Sequence, residues 1–220
     1  MSKLNQALLK FDLDQNFAYD DFFVSKCNFY AFNLIETWPK WEKNILNIYG
    51  EKFSGKSHLS EIFIKKNKGI IFNAKKFQFN SERNLRYHEN IILDNLDEEI
   101  DENSIFSLIN FVDQNSKYLI INSLIPFSKM KFKLKDLKSR TKNCLDAKIE
   151  KPDVDMIFAL VLKHFSDRQI KIEKKIIEYI TKRIERSYGK ILDFIYKVDQ
   201  FSLINKKPID YKIIKKILGD

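Results

Sequence analysis

One eight-residue stretch limits the folds open to this chain more than any other feature. Gly50-Glu51-Lys52-Phe53-Ser54-Gly55-Lys56-Ser57 fits the pattern G-x-x-x-x-G-K-[ST]. The chain has only 5 glycines in 220 residues, so a glycine-rich composition does not explain the match. The flanks agree with it. Asn44–Tyr49 is a short apolar strand that runs straight into Gly50. Ser57–Lys66 places Leu59, Ile62 and Phe63 on one helical face. Strand, glycine loop and helix together make a phosphate cradle. The glycines let successive backbone N–H groups curl toward one anion, and the helix start adds the positive end of its dipole. Lys56 supplies a point charge for β- and γ-phosphates, and the Ser57 hydroxyl is a hard ligand for Mg²⁺. Gly50, Ser54, Gly55, Lys56 and Ser57 are the candidate phosphate contacts.

A phosphate loop of this kind calls for an acid at the tip of another strand. Ile91-Ile92-Leu93-Asp94 supplies one, and Asp94 is expected to hold Mg²⁺ through water opposite Ser57. Asn95 follows, where many ATPases carry a carboxylate that orients the attacking water. An amide is no base, so slow hydrolysis is expected, with Asp97 and Glu98 near enough to substitute in part. Asn122 ends the strand Tyr118–Ile121. It reads either as a sensor of the γ-phosphate or as a turn residue. Arg140 lies in the basic stretch after that strand. It is either an arginine finger entering a neighbour's site or part of a solvated basic face.

The rest of the chain sets the frame. Gly69–Phe72 and Cys144–Ile149 read as further strands, with helices at Ser104–Asn115 and Leu134–Lys142. Strands that are continuous apolar runs alternating with helices indicate a parallel sheet covered on both faces. After Lys151-Pro152 only helical periods remain, at Asp153–His164, Glu173–Arg186, Lys190–Phe201 and Tyr211–Leu218. The expected division is therefore a polar tail at 1–16, an α/β nucleotide-binding domain at 17–150 and a helical block at 151–220. Two cysteines, Cys27 and Cys144, read as buried thiols in a reducing compartment. Three histidines without ligand spacing speak against zinc. No apolar run reaches the length of a membrane helix, and no export signal opens the chain, so a cytoplasmic protein is expected. The net charge is +9, and Lys129–Lys142 holds seven basic residues against one acid. That permits contact with nucleic acid, or is a solvated face.

These pieces in this order resemble the AAA+ module of the bacterial replication initiator DnaA, and more closely the truncated DnaA-regulatory Hda family. The resemblance rests on Asp21-Phe22-Phe23-Val24 with Asn28, on Gly50–Leu59, and on Ile92-Leu93-Asp94-Asn95. It continues through Asp136–Arg140 and Pro152 to Arg186–Leu203, covering almost the whole chain. It implies an AAA+ parallel sheet with a C-terminal all-helical lid, and ADP or ATP with Mg²⁺ as cofactor. It adds His58 to the nucleotide contacts and makes Phe23 and Val24 candidates for packing on the base, or for plain core. It implies a nucleotide-sensing lid residue at Lys190, with Arg186 one turn earlier as the other choice.

The resemblance also implies partners. Gln6-Ala7-Leu8-Leu9-Lys10-Phe11 fits the clamp-binding pattern Gln-x-x-Leu-x-Phe. Gln6 would bond at the mouth of a pocket that Leu9 and Phe11 fill. The chain stops at Asp220, where an initiator would continue into an origin-binding domain, so no sequence-specific DNA binding is expected. The expected function is a regulator that docks on the DNA polymerase sliding clamp and stimulates ATP hydrolysis by DnaA through Arg140. It would be at most a weak ATPase itself, with room for a homodimer. The alternatives are a helicase-loader-like ATPase that binds single-stranded DNA through 129–142, and a small P-loop kinase.

Overall fold

The computed structural model describes residues 21–79, 83–168, 172–205 and 209–219. Five parallel strands form one sheet: β1 (Ile45–Tyr49), β2 (Ile70–Asn73), β3 (Asn90–Leu96), β4 (Tyr118–Ser123) and β5 (Leu145–Lys148). Their order across the sheet is β2-β3-β4-β1-β5. The three inner strands are buried on both faces, and β1 carries a buried polar residue, Asn47, inside its apolar run. The edge strands β2 and β5 are half-exposed.

Helices cover both faces. α1 (Phe29–Thr37) and α2 (Lys56–Asn67) pack on one side, where Ala31, Ile35, Leu59 and Phe63 meet Ile48, Ile92 and Ile120. α3 (Glu102–Gln114) and α4 (Lys135–Arg140) lie on the other. There Ile105, Leu108, Ile109 and Val112, at i, i+3, i+4 and i+7, meet Ile45, Ile91 and Ile121. Asp101 starts α3 by accepting a bond from the Asn103 N–H at 3.1 Å.

Four helices follow: α5 (Val154–Asp167), α6 (Lys174–Arg183), α7 (Tyr188–Asn205) and α8 (Tyr211–Leu218). They share a separate core of Ile157, Val161, Phe165, Ile177, Ile180, Ile191, Ile195, Val198 and Ile214. Asp153 caps α5 through the Met156 N–H at 2.8 Å, and Asp210 caps α8 through the Ile213 N–H at 2.9 Å. Among the described residues, no helix is long and apolar enough to cross a membrane.

α5 runs on to Asp167 and α7 spans Tyr188–Asn205, beyond the helical periods read from the sequence, and two further elements differ for a local reason. α6 stops at Arg183 and not at Arg186, because Ile184 turns to extended backbone and tucks into the helical core. β3 continues past Leu93 to Leu96. Leu93 pairs with Ile121 and Leu96 with Ser123, so β3 carries one extra residue there. That bulge is made at Asn95, which adopts φ +59°.

Candidate functional site

β1 delivers the chain to the loop at the edge where the strands end. The Gly50 N–H bonds to the Ser123 carbonyl at 3.3 Å, and a Cβ on Gly50 would stand 2.7 Å from the Ile149 carbonyl. That approach explains a glycine here. Gly55 sits at φ +92° as the residue before α2, where any other residue would be strained. Phe53 is strained. It holds φ +66° with its ring 64% exposed, so neither conformation nor burial favours a phenylalanine at that position.

Lys56 is folded into the loop. Its Nζ donates to the carbonyls of Gly50 (2.9 Å) and Glu51 (2.6 Å) and to Ser54 Oγ (3.3 Å). Burial pulls its pKa down to about 8, against the opposing pull of Asp94 and Glu51. The ammonium is thus held by weak neutral acceptors that a phosphate can replace.

Side chains from α2, β3 and β4 converge on one carboxylate. Asp94 Oδ2 accepts from Ser57 Oγ at 2.9 Å and from Asn95 Nδ2 at 3.0 Å. Asp94 Oδ1 accepts from Asn122 Nδ2 at 2.8 Å, and the same amide donates to Ser60 Oγ at 2.7 Å. Asn122 is fully buried, and its Oδ1 has no hydrogen-bond partner. Ser57 and Asp94 together offer hydroxyl and carboxylate oxygens, the hard donors Mg²⁺ takes alongside phosphate oxygens and water. The site can therefore hold a phosphate chain with its metal. Among the described residues, the acids that follow Asp94 in sequence are engaged elsewhere. Asn95 donates toward that carboxylate. Asp97 is engaged by Lys75 at 2.7 Å, an interaction that lowers its pKa. Glu98 accepts from the Lys131 N–H at 3.3 Å.

The other sequence candidates are scattered. His58 follows Ser57 in α2, and its ring meets Phe22 edge-on at 5.1 Å. Phe22, not Phe23, packs against the loop: it stacks on Phe32, and a Cβ on Gly55 would touch its ring at 3.1 Å. Phe23 is exposed and Val24 half-buried, so neither is core. Two adjacent phenylalanines gave no signal for choosing between them. Lys190 is exposed in the first turn of α7. Gln6, Leu9 and Phe11 lie outside the described residues.

Arg140 stands at the opposite edge. It ends α4, and its guanidinium pairs with Asp113 at 3.2 Å, while Asp113 also accepts from Asn44 at 2.9 Å. Asn44 immediately precedes β1, so this cluster lies where strands begin, about 16 Å of extended chain from the loop. In the segment leading there, Met130, Phe132, Leu134 and Leu137 face the core. Lys129, Lys131, Lys133, Lys135, Lys138 and Lys142 are exposed.

No protein-family model matches the chain. The chromosomal replication initiator DnaA of Clavibacter sepedonicus is 21% identical over 238 residues, which takes in 94% of this chain and 49% of that protein. The chain spans about half the length of the curated relatives it matches. Domain III of Thermotoga maritima DnaA superposes with a TM-score of 0.75 at 18% identity, covering 94% of this chain and 98% of that one. The chain has the fold of AAA+ DnaA domain III. It is related to that domain at low identity. A second solved structure, the initiator DnaA bound to AMPPCP and single-stranded DNA, superposes with a TM-score of 0.65 at 16% identity. It covers 89% of this chain and 69% of that one. In that fold the phosphate loop, Asp94 and Asn122 occupy the ends of adjacent strands, and α5–α8 follow the sheet as a helical block with its own core.

Proposed function

We propose that the protein is an adenine-nucleotide-binding regulator of chromosomal replication initiation. In the cytoplasm it docks on the sliding clamp through Gln6, Leu9 and Phe11 and stimulates ATP hydrolysis by DnaA. The observation that carries the reading is the pair of polar clusters at opposite edges of one sheet. Lys56, Ser57, Asp94 and Asn122 are gathered for a nucleotide with its Mg²⁺. Arg140 stands exposed at the other edge, free to meet a second molecule's nucleotide.

The site's own chemistry supports a binder more than a turnover enzyme. Ser57 and Asp94 would hold a Mg²⁺ ion, whose chemistry there would be charge neutralisation on the phosphates. Asn122 can report on the terminal phosphate. The two nearby acids are engaged elsewhere, Asp97 by Lys75 and Glu98 by the Lys131 N–H, so intrinsic turnover below the ~1–10³ s⁻¹ of ordinary enzymes is expected. Residues 17–150 act as the nucleotide-binding domain and 151–220 as the lid, with Lys190, in the first turn of the helix whose start meets the loop, as the nucleotide-sensing residue. Co-purification with the clamp tests the docking: Gln6→Ala should release it, and an unchanged yield would refute the tail as anchor.

One observation favours a second reading. The exposed lysine row of 129–142 could follow a phosphate backbone, as in a helicase-loader-like module that binds single-stranded DNA. Binding through this row would weaken steeply between 50 and 200 mM salt. A gel shift absent at both concentrations would leave the regulator alone.

A further inference from the structure

Glu51 joins the phosphate loop to the lid by two different parts of the same residue. Its carbonyl accepts the Lys56 ammonium at 2.6 Å. Its carboxylate leaves the loop, and Oε2 accepts from the Tyr188 N–H at 3.0 Å and from the Ser187 hydroxyl at 3.1 Å. Tyr188 is the first residue of α7, whose first turn carries no acid of its own. The first N–H groups of a helix lack intrahelical partners, and a carboxylate there is favoured by the dipole. Ser187 precedes α7, and its carbonyl accepts the Ile191 N–H at 3.0 Å. Its hydroxyl donates to Glu51 instead of capping. The cap of the longest lid helix is thus supplied by the phosphate loop.

The remaining ties of this region go elsewhere. The Tyr188 hydroxyl reaches the Glu150 carbonyl and Cys27 Sγ, both at 3.3 Å, and the Cys27 N–H donates to Asp153 at 3.3 Å. Lys163 of α5 pairs with Asp21 at 2.7 Å. These contacts anchor the lid to the chain segments entering and leaving the sheet. Glu51 anchors it to the loop that changes partners when a phosphate arrives.

We infer that Glu51 is a positioning residue: through it, the attitude of α7 depends on whether Lys56 is engaged with the loop or with a nucleotide phosphate. The inference rests on the nucleotide reading of the loop. When a phosphate takes the ammonium, the carbonyls of Gly50 and Glu51 lose their cation. The peptide that carries the Glu51 side chain is then free to turn, and the cap on α7 moves with it.

Amide hydrogen exchange across residues 187–191, with and without saturating ADP, tests this in wild type, Glu51→Ala and Glu51→Gln. Glutamine keeps an oxygen that accepts from both donors, so it separates position from charge. Without nucleotide, Glu51→Ala should exchange at Tyr188 about tenfold faster than wild type, and Glu51→Gln should stay near wild type. With ADP, wild type and Glu51→Gln should change exchange at 187–191, and Glu51→Ala should not. Equal exchange in the nucleotide-free wild type and Glu51→Ala would overturn the latch. A wild-type protein saturated with ADP but unchanged at 187–191, or an ADP response in Glu51→Ala matching wild type, would overturn the coupling. Failure of wild type to bind ADP would defeat the nucleotide reading, and with it the coupling. The nucleotide-free comparison would still decide whether Glu51 caps α7.

Discussion

Asp94 and Asp113 are each the centre of a small polar cluster, one where the strands end and one where they begin. Asp94 accepts three bonds, from Ser57, Asn95 and Asn122, and one donor, Asn122, is fully buried. Asp113 accepts from Asn44 and Arg140, and the arginine side chain is 47% exposed. The difference is one of commitment. Removing a partner from the buried cluster leaves a desolvated polar group, at a cost of about 1–3 kcal/mol. An exposed ion pair is worth only ~0–1 kcal/mol, so Arg140 can exchange Asp113 for another anion almost freely. The first cluster is fixed in place by its own hydrogen bonds. The second keeps an arginine available.

The largest effect that would sharpen this contrast comes from the available side. Arg140→Ala should remove most of the stimulation of DnaA ATP hydrolysis in a mixture with clamp loaded on DNA. A finger of this kind contributes ~10³–10⁵ in rate. The same variant should keep ADP affinity within about twofold and stability within ~0.5 kcal/mol. A drop in ADP affinity would place Arg140 in its own site and break the separation of the two edges.

A middle-sized effect belongs to the committed side. The Lys56 pKa lies near 8 without ligand, and a bound phosphate favours the charged form. ADP affinity should therefore be flat below pH 7.5 and fall as pH rises through 8, being about tenfold weaker at pH 9 than at pH 7. Binding near pH 8 should take up protons. The linkage to folding has the opposite sense: burial disfavours the ammonium, so this group's penalty on stability disappears between pH 8 and 10.5. An affinity that does not change between pH 7 and 9 would show that Lys56 does not meet the phosphate as an ammonium.

The smallest effect tests the loop's backbone. Phe53 holds a left-handed conformation that costs an L-residue roughly 1–2 kcal/mol, and its ring gains little burial. Phe53→Gly should raise the melting temperature by about 2–4 °C in a chain of this size. A destabilised Phe53→Gly would mean that the ring has contacts worth more than the strain.

The sequence made the committed cluster more legible than the available one, for a physical reason. A phosphate loop needs glycines, a lysine and a hydroxyl at fixed spacing, and strands buried on both faces are apolar runs that end in plain view at Asp94 and Asn122. Side-chain choice within a run is harder to read. A pair of equal rings, Phe22 and Phe23, carries no pattern that says which one packs against α2. The Asn95 bulge was hidden because an asparagine after an apolar strand reads as its end. Glu51 went unnoticed because its partners, Ser187 and Tyr188, are 136 and 137 residues away, and such a bond leaves no local trace. Arg140 is picked out in the sequence only by its place after β4, and its pairing with Asp113 depends on the fold.

Titration of a fluorescent ADP analogue into wild type and Lys56→Ala tests the central claim most directly, that the Gly50–Ser57 loop binds an adenine nucleotide through the lysine it encloses. Wild type should bind saturably and the variant about ten- to a hundredfold more weakly, since a lost charge-assisted contact is worth about 1.5–3 kcal/mol. The variant should remain folded, because the Lys56 partners are carbonyls and one hydroxyl. Equal affinity in the two proteins, or no binding by wild type, would contradict it.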